Sequence, residues 1–431
     1  WIAMRAYSSL LKYRLLGISL DNIRFLWRIR AVDRARHPDG CYDDAFQQSR
    51  PIQYHVYTLA LLHRIFLLHQ DNRLKKHFLA GVHYFTQFID PDGCFNYLGR
   101  GQEQIFGYAV GLYVLEAAKQ LDEMNARLYQ SYRDRVWNYL VGFFRDGHFP
   151  LVLNSREDAE KCGWYDYHHL TVYNAFLGAW LALTHSLKTS AVSGEKKQDG
   201  TPRFYFQYFE STKNIIISKD AYFVTLSGGN REYFSEPGLT PIHVWFKNVG
   251  WVFSCPGGPS PMRYGKINVA QNVEKNFFCP IAHIDGMAWF LPAHRECRII
   301  RADPDQVIMA LDYGPFNLNR IVTFDQKAIV FKDTFQFKED INIEELRYFN
   351  FPVVVDKFKI EINRAGEVRL VSNKGMVCVV LINTDFTEKC FEKIEQIKTA
   401  KGLACVVALR EHRFRVKAGQ KNSITFSLSS D

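Results

Sequence analysis

Two patterns of hydrophobic and polar residues divide the chain, one with the period of helices and one with the period of strands. Up to residue 187, long apolar stretches alternate with more polar ones, and each is long enough for an α-helix. From residue 204 the apolar stretches are short, rich in β-branched and aromatic residues, and separated by Gly, Asn and Asp turns. We therefore expect a helical domain at 1–187, a linker at 188–203 and an antiparallel β-sandwich at 204–431.

A short turn phrase recurs in the helical half as HPDGCY, DPDGCF and RDGHFP. Asp39 precedes Asp92 by 53 residues, and Asp92 precedes Asp146 by 54. A period of about fifty residues with two helices per unit is typical of stacked helical hairpins. Apolar helices rich in small residues alternate with more charged ones, which indicates an inner layer surrounded by an outer layer. The pattern predicts an incomplete (α/α) toroid, with inner helices near 1–17, 50–69, 102–120 and 166–186, and an outer helix at 20–34.

Three of the expected inner helices carry a polar residue one turn before a tyrosine. Offsets of 54 and 65 residues align the tyrosines Tyr54, Tyr108 and Tyr173, and the polar residues Arg50, Gln104 and His169. Asn174 aligns instead with His55 and Ala109. Residues four apart share one helical face, and in a toroid the starts of the inner helices surround a single opening. We expect the aligned residues to line that opening.

The stretch YDYHHLTVYNAF, residues 165–176, is the densest group of candidate residues. Asp166, His169 and Tyr173 fall at i, i+3 and i+7 on one helical face, a combination that a pure packing face does not require. Tyr167 and His168 are compatible with either the opening or a neighbouring helix.

Three further residues are candidates for binding. Arg100, in the glycine-flanked loop GRGQEQ, suits a carboxylate or sulfate, although a solvated loop arginine is equally consistent with this pattern. His243 and His283, in the strand-rich half, are candidates to reach the helical domain. Isolated histidines on helices, such as His55 and His63, are more typical of surface or core positions.

Charge and composition narrow the class of partner. The net charge of +9 favours an anionic partner, and its even spread along the chain does not suggest nucleic acid. The nine cysteines form no CxxC pair, which argues against a zinc module or a dense disulfide framework. No apolar run reaches the roughly 18 residues of a membrane span. The first residues lack a signal-peptide pattern, and we expect a periplasmic or secreted location if an upstream signal was removed.

A helical toroid followed by a large antiparallel sandwich, with Tyr and His at the starts of the inner helices, resembles the polysaccharide lyases of the heparinase II/III and alginate lyase type. The resemblance implies β-elimination on a uronic-acid-containing anionic polysaccharide, with no required cofactor. A structural divalent metal occurs in some relatives, but no ligand set for one stands out in the sequence. By position, Gln104 corresponds to the amide, Tyr173 or Tyr167 to the tyrosine, His168 or His169 to the imidazole, and His243 or His283 to the sandwich histidine. Together, the alignment, the loop pattern and the resemblance give as candidates for substrate binding Arg50, Tyr54, Arg100, Gln104, Tyr108, Asp166, Asn174, His243 and His283.

Two other functions remain open from the sequence. A glycoside hydrolase on the same kind of toroid needs two carboxylates about 5 to 10 Å apart. Candidates near the inner-helix starts are Asp43, Asp44, Glu103 and Asp166. The third possibility is a glycan-binding protein of the same fold without catalysis.

Overall fold

A computed structural model describes residues 1–43, 51–99, 101–153, 170–187, 204–228, 240–254, 278, 280–289, 297–363, 366–387, 390–399 and 401–430. These residues form two compact units, one containing the described residues up to 187 and the other those from 204 onwards. The predicted linker at 188–203 lies outside the described residues.

The first unit is helical. Its described part contains seven α-helices: α1 Ile2–Leu16, α2 Ser19–Arg34, α3 Ile52–His69, α4 Asn72–Gln87, α5 Ile105–Leu121, α6 Ala126–Val141 and α7 Leu170–Ser186. A single 3₁₀ turn, Glu123–Asn125, links α5 to α6. Gly17 ends α1 in the left-handed conformation, at φ 69°, and the side chain of Asp71 caps α4 by accepting a hydrogen bond from the Arg73 backbone N–H at 2.8 Å.

The helices pack as hairpins in two layers. Helices α1, α3, α5 and α7 contact one another in succession, while α2, α4 and α6 each pack on the preceding member of that series. Helix α5 is buried on all sides, whereas α6 buries mainly Tyr129, Tyr132, Val136 and Leu140, which share one face. The predicted inner and outer helices are therefore present in this unit.

Two glycines of the repeated turn phrase explain why that phrase recurs. Gly40 and Gly93 have φ values of 92° and 97°, which disfavour residues with a side chain. A Cβ on Gly40 would lie 2.5 Å from the backbone oxygen of Ala80 in α4, and a Cβ on Gly93 would lie 2.3 Å from that of Arg135 in α6. Each glycine therefore allows a turn to pack directly on the backbone of an outer helix.

The second unit consists of antiparallel strands. Those in its described part are β1 Tyr205–Phe209, β2 Asn214–Ser218, β3 Tyr222–Ser227, β4 Thr240–Phe246, β5 Gly250–Ser254, β6 Ile281–Ile284, β7 Met287–Trp289, β8 Arg298–Ala302, β9 Gln306–Asp312, β10 Phe316–Phe324, β11 Ala328–Phe337, β12 Ile341–Val354, β13 Lys359–Asn363, β14 Glu367–Val371, β15 Met376–Thr384, β16 Phe391–Thr399, β17 Gly402–Val416 and β18 Lys421–Ser430.

The described strands form three sheets. Strands β1 to β5 make a meander, an eight-stranded sheet has the order β13-β14-β15-β18-β11-β10-β9-β8, and a third sheet has the order β16-β17-β12-β6-β7. One apolar core joins them, with Val224, Phe331 and Phe351 as members from different sheets. Residues alternate between buried and half-buried along β10, as expected for a sheet with one face on a core. The predicted fold class, helical hairpins followed by an antiparallel β-sandwich, is confirmed.

One ion pair lies inside the strand core. Arg320 of β10 is directly opposite Asp333 of β11, and both side chains are fully buried. Nε and Nη2 of Arg320 donate to the two carboxylate oxygens at 2.7 and 2.6 Å, so the two charges satisfy each other.

No helix in the described part of the chain is both long and apolar enough to cross a membrane.

Candidate functional site

Helix α3 has two faces with different chemistry. His55, Leu59 and His63 point toward α4, where they contact Gly81 and Phe78. Tyr57 and Arg64 lie on the opposite face, where they contact the inner helix α1. We call this second side of α3, with the parts of α1, α5 and α7 that it contacts, the inner face.

The outward histidines are buried and neutral. Nε2 of His55 donates to the Gly81 carbonyl at 3.0 Å, and its Nδ1 accepts from the backbone N–H of Tyr42 at 3.3 Å. Burial lowers the pKa of His55 and of His63 to about 4, because the interior disfavours the charged imidazole. These contacts agree with the prediction of core histidines.

An aromatic strip lies along the inner face. It consists of Tyr54 and Tyr57 of α3, Phe106 of α5, and Phe176 and Trp180 of α7. The Phe106 ring centroid is 6.1 Å from that of Tyr54, 5.4 Å from that of Tyr57 and 4.9 Å from that of Phe176. Tyr54, Tyr57, Phe106 and Phe176 are half-buried, so part of each ring remains accessible. Accessible aromatic faces of this kind suit the apolar faces of sugar rings.

An amide cluster lies at the starts of α3 and α5. Nε2 of Gln53 donates to Oε1 of Gln104 at 3.3 Å, although 51 residues separate them in sequence. Nδ2 of Asn96 donates to the carbonyl of Gly101 at 2.9 Å and to that of Gln104 at 3.3 Å. Gln104 is the residue that precedes the first turn of α5, and all three amides are buried. The amide cluster is therefore rigid, and amide N–H groups are donors of the kind that bind a carboxylate.

A buried carboxylate lies on the opposite side of α5 from the aromatic strip. Glu103 accepts from the hydroxyls of Tyr108 and Tyr139 at 3.1 and 3.0 Å, and from the thiol of Cys94 at 3.3 Å. Its backbone is in the left-handed region at φ 60°, where Asn96 and Leu153 hold it through hydrogen bonds. Burial, followed by nearby Cys94 and Glu103, raises the pKa of Tyr139, so its hydroxyl stays protonated and donates.

This position of Tyr108 corrects the alignment of the inner helices. Tyr108 is fully buried against Tyr139 of the outer helix α6, with ring centroids 5.4 Å apart, whereas Tyr54 belongs to the aromatic strip. Helices α3 and α5 begin at Ile52 and Ile105, an offset of 53 residues rather than 54. A shift of one residue rotates a side chain by about 100° around a helix, so Tyr54 and Tyr108 face different ways.

The densest stretch of candidates is only partly described. Tyr173 is half-buried on α7. Asn174 holds a loop: its Nδ2 donates to the Phe149 carbonyl at 2.9 Å, and its Oδ1 accepts from the Phe149 N–H at 3.0 Å. The candidates that lie outside the described residues are Arg50, Arg100, Asp166, Tyr167, His168 and His169.

The two sandwich histidines occupy different environments. His243 on β4 is fully buried, with Nδ1 2.9 Å from Oγ of Ser254. His283 on β6 is half-buried and lies opposite Glu345 of β12 in the sheet. A role in substrate binding stays a prediction for both.

The carboxylates considered for hydrolysis also lie in different environments. Glu103 is bound by two tyrosines and a cysteine, as described above. Asp43 forms an ion pair with His37, with Oδ2 2.8 Å from Nε2. Asp44 and Asp166 lie outside the described residues.

Sequence reasoning missed several residues of this region, including Gln53, Asn96, Tyr57 and Arg64. Gln53 and Arg64 lie on an apolar helix, where single polar residues at core-facing or inner-facing positions are the available signal. Asn96 follows directly after the repeated turn phrase DPDGCF, a position that could have drawn attention to it.

No protein-family model matches the sequence, and no curated protein matches it either. Solved structures do match. A chondroitin AC lyase from Streptomyces coelicolor A3, solved in complex with chondroitin sulphate, aligns with a TM-score of 0.53 and 13% identity over 98% of this chain and 59% of its own. A heparinase III aligns with a TM-score of 0.46 and 10% identity over 100% of this chain and 66% of its own. A heparan sulfate lyase from Pedobacter heparinus aligns with a TM-score of 0.41 and 10% identity over 100% of this chain and 67% of its own.

This chain therefore spans 59% of the length of the chondroitin AC lyase and 66% of that of the heparinase III. The match to the chondroitin AC lyase covers both the helical hairpins and the antiparallel sheets, because it includes 98% of this chain. The chain therefore has the fold of this chondroitin AC lyase, helical hairpins followed by an antiparallel β-sandwich.

Proposed function

We propose that this protein is a polysaccharide lyase that cleaves a uronic-acid-containing anionic polysaccharide by β-elimination. The observation that carries the proposal is the combination of the amide cluster, at the starts of α3 and α5, with the aromatic strip on the same inner helices. The fold shared with a lyase that was solved with chondroitin sulphate supports the same substrate class.

The reaction explains why these residue types belong together. A base removes the proton at C5 of the uronate, the bond between C4 and the bridging oxygen breaks, and a C4–C5 double bond forms while that oxygen takes up a proton. The C5 proton becomes acidic enough only when the adjacent carboxylate is neutralised by donors or a cation. Oε1 of Gln104 accepts from Gln53, and we propose that Nε2 of Gln104 is the atom that donates to the carboxylate of the substrate.

The remaining roles follow the sequence predictions. Tyr173 is proposed as the proton donor to the leaving oxygen, with His169, His168 or Tyr167 as the base. Arg50 and Arg100 are proposed to assist Gln104 at the carboxylate, and Tyr54 to contact a sugar ring.

The test is incubation of the protein with a panel of uronate polymers, with and without a metal chelator. Elimination creates an unsaturated uronate that absorbs ultraviolet light, and absorbance should rise in both conditions. Tyr173→Phe should lower kcat by about 10²- to 10⁴-fold, the usual contribution of a positioned acid or base. Tyr129→Phe, on the outer helix α6, is a matched control that should retain turnover. New reducing ends without absorbance would indicate hydrolysis, and binding without either signal would indicate a non-catalytic protein.

A further inference from the structure

Arg64 is a half-buried cation on the inner face. Its Nε and Nη2 donate to the hydroxyl of Tyr7 at 3.3 and 3.2 Å, and its guanidinium lies 6.0 Å from the centre of the Tyr7 ring. The inner helix α1 therefore holds this guanidinium of α3 in place through Tyr7.

Proton positions around Tyr113 follow from the chemistry of its neighbours. The O–H of Tyr113 and Nδ1 of His63 share a hydrogen bond of 2.8 Å. Burial raises the pKa of Tyr113 to about 12, which keeps this proton on the hydroxyl. His63 is neutral because burial lowers its pKa to about 4. Tyr113 is therefore uncharged and does not neutralise Arg64.

Within the part of the chain that the structure describes, no carboxylate forms an ion pair with Arg64, and its hydrogen-bond partner is the hydroxyl of Tyr7. Arg133 on the outer helix α6 instead pairs with the carboxylate of Glu116, 3.4 Å away. A half-buried guanidinium fixed by one tyrosine hydroxyl is well suited to bind an external anion, since its desolvation is already partly complete.

The aromatic strip continues along α3 toward Arg64. The Trp180 ring centroid lies 6.0 Å from that of Tyr57, seven residues before Arg64 on α3, and 5.0 Å from that of Tyr113. Arg64 follows Gln53 by eleven residues on α3, which corresponds to roughly 16 Å along the helix axis. The Arg64 region is therefore separate from the amide cluster but connected to it by the aromatic strip.

We propose that Arg64, oriented by Tyr7, is a second anion-binding subsite that takes a sulfate or carboxylate group of an acidic glycan. The inference rests on the proposed function in that the ligand is the same class of polymer. The subsite binds a sugar distant from the one that reacts, and its occupation does not require cleavage.

The test measures binding to the whole chain by calorimetry, with a sulfated uronate oligosaccharide and its desulfated counterpart. Arg64→Gln should raise Kd by about 10- to 100-fold, since a hydrogen bond to a charged group contributes about 1.5 to 3 kcal/mol. Arg64→Lys should recover only part of the affinity, because lysine lacks the planar fork of donors. Arg127→Gln removes the same charge from α6 and should leave Kd unchanged. Circular dichroism confirms that each variant is folded.

The two ligands identify the anion. Weaker binding of the sulfated ligand alone assigns Arg64 to a sulfate, and weaker binding of both assigns it to a carboxylate. An unchanged Kd for both in Arg64→Gln overturns the subsite, and so does a wild-type chain that binds neither ligand. If Arg64→Gln weakens binding while the wild-type chain forms no unsaturated product, the subsite stands and the proposed lyase function fails.

Discussion

The two sides of helix α3 show how one apolar helix can serve packing and recognition at once. Toward α4, His55 and His63 are fully buried and bonded to protein groups. On the inner face, Tyr54, Tyr57 and Arg64 are half-buried and contact mainly aromatic rings and hydroxyls. His63 and Arg64 are neighbours in sequence yet belong to different environments.

The difference teaches that residue type alone does not identify a functional residue in a helical repeat. Histidine is the usual candidate for acid and base chemistry near neutral pH, but burial on the packing side removes that capacity here. Arginine and tyrosine on the inner side keep accessible polar or aromatic surface. Substitutions on the packing side should therefore affect mainly stability, and those on the inner face mainly ligand binding.

The largest effect is expected for His55→Ala. This change deletes a buried ring and leaves the Tyr42 N–H and the Gly81 carbonyl without their imidazole partner. We expect the free energy of unfolding to fall by about 4 kcal/mol, from the cavity and the unsatisfied backbone groups together. The free energy of unfolding is measured by chemical denaturation, with circular dichroism as the signal. Tyr54→Ala on the inner face is the matched control, and an equal loss there would contradict the distinction between the two faces.

A somewhat smaller loss of stability is expected when the pH is lowered, because of the titration of His63. Its pKa in the folded chain, about 4, lies below the ordinary value of 6.5. At pH 7 His63 is therefore mostly neutral in both the folded and the unfolded chain. Below pH 6.5 the unfolded chain binds a proton at this histidine, whereas the folded chain does not. The free energy of unfolding therefore falls as the pH is lowered to about 4. The total loss from this histidine is about 3 kcal/mol.

The measurement compares wild type with His63→Phe across this pH range. The variant should be less stable at pH 7, because Tyr113 loses its acceptor, but its stability should decline less between pH 6.5 and 4. Parallel curves for the two proteins would mean that His63 is not held neutral by the fold.

The sequence was informative about the elements and their order. Inner helices expected near 50–69, 102–120 and 166–186 correspond to Ile52–His69, Ile105–Leu121 and Leu170–Ser186, and the change to strands after the helical half was also predictable. Periodic apolar residues and turn phrases are local signals, and they determine where an element begins and ends.

The rotation of each inner helix was not predictable in the same way. An apolar stripe fixes which side of a helix faces the core, but α5 is apolar on all sides and offers no such reference. The alignment therefore placed Tyr108 beside Tyr54, one residue away from the observed offset. The contact between Gln53 and Gln104 depends on packing across 51 residues of sequence, and no local pattern encodes it.

The smallest effect is expected for Tyr57→Phe, which removes the hydroxyl of this inner-face residue and keeps its ring. Among the described residues, the hydroxyl of Tyr57 contacts one weak acceptor, Sδ of Met4 at 3.8 Å, so its removal should change the free energy of unfolding by less than about 1 kcal/mol. The ring stays against Phe106, and affinity for an acidic oligosaccharide should remain within about twofold of wild type. Tyr57→Ala, which removes the ring, should weaken binding by about fivefold, equivalent to about 1 kcal/mol of lost aromatic contact. If Tyr57→Phe weakens binding as much as Tyr57→Ala in the same calorimetric titration, then the hydroxyl rather than the aromatic surface contacts the glycan, and the inner face recognises its ligand through polar groups along its whole length.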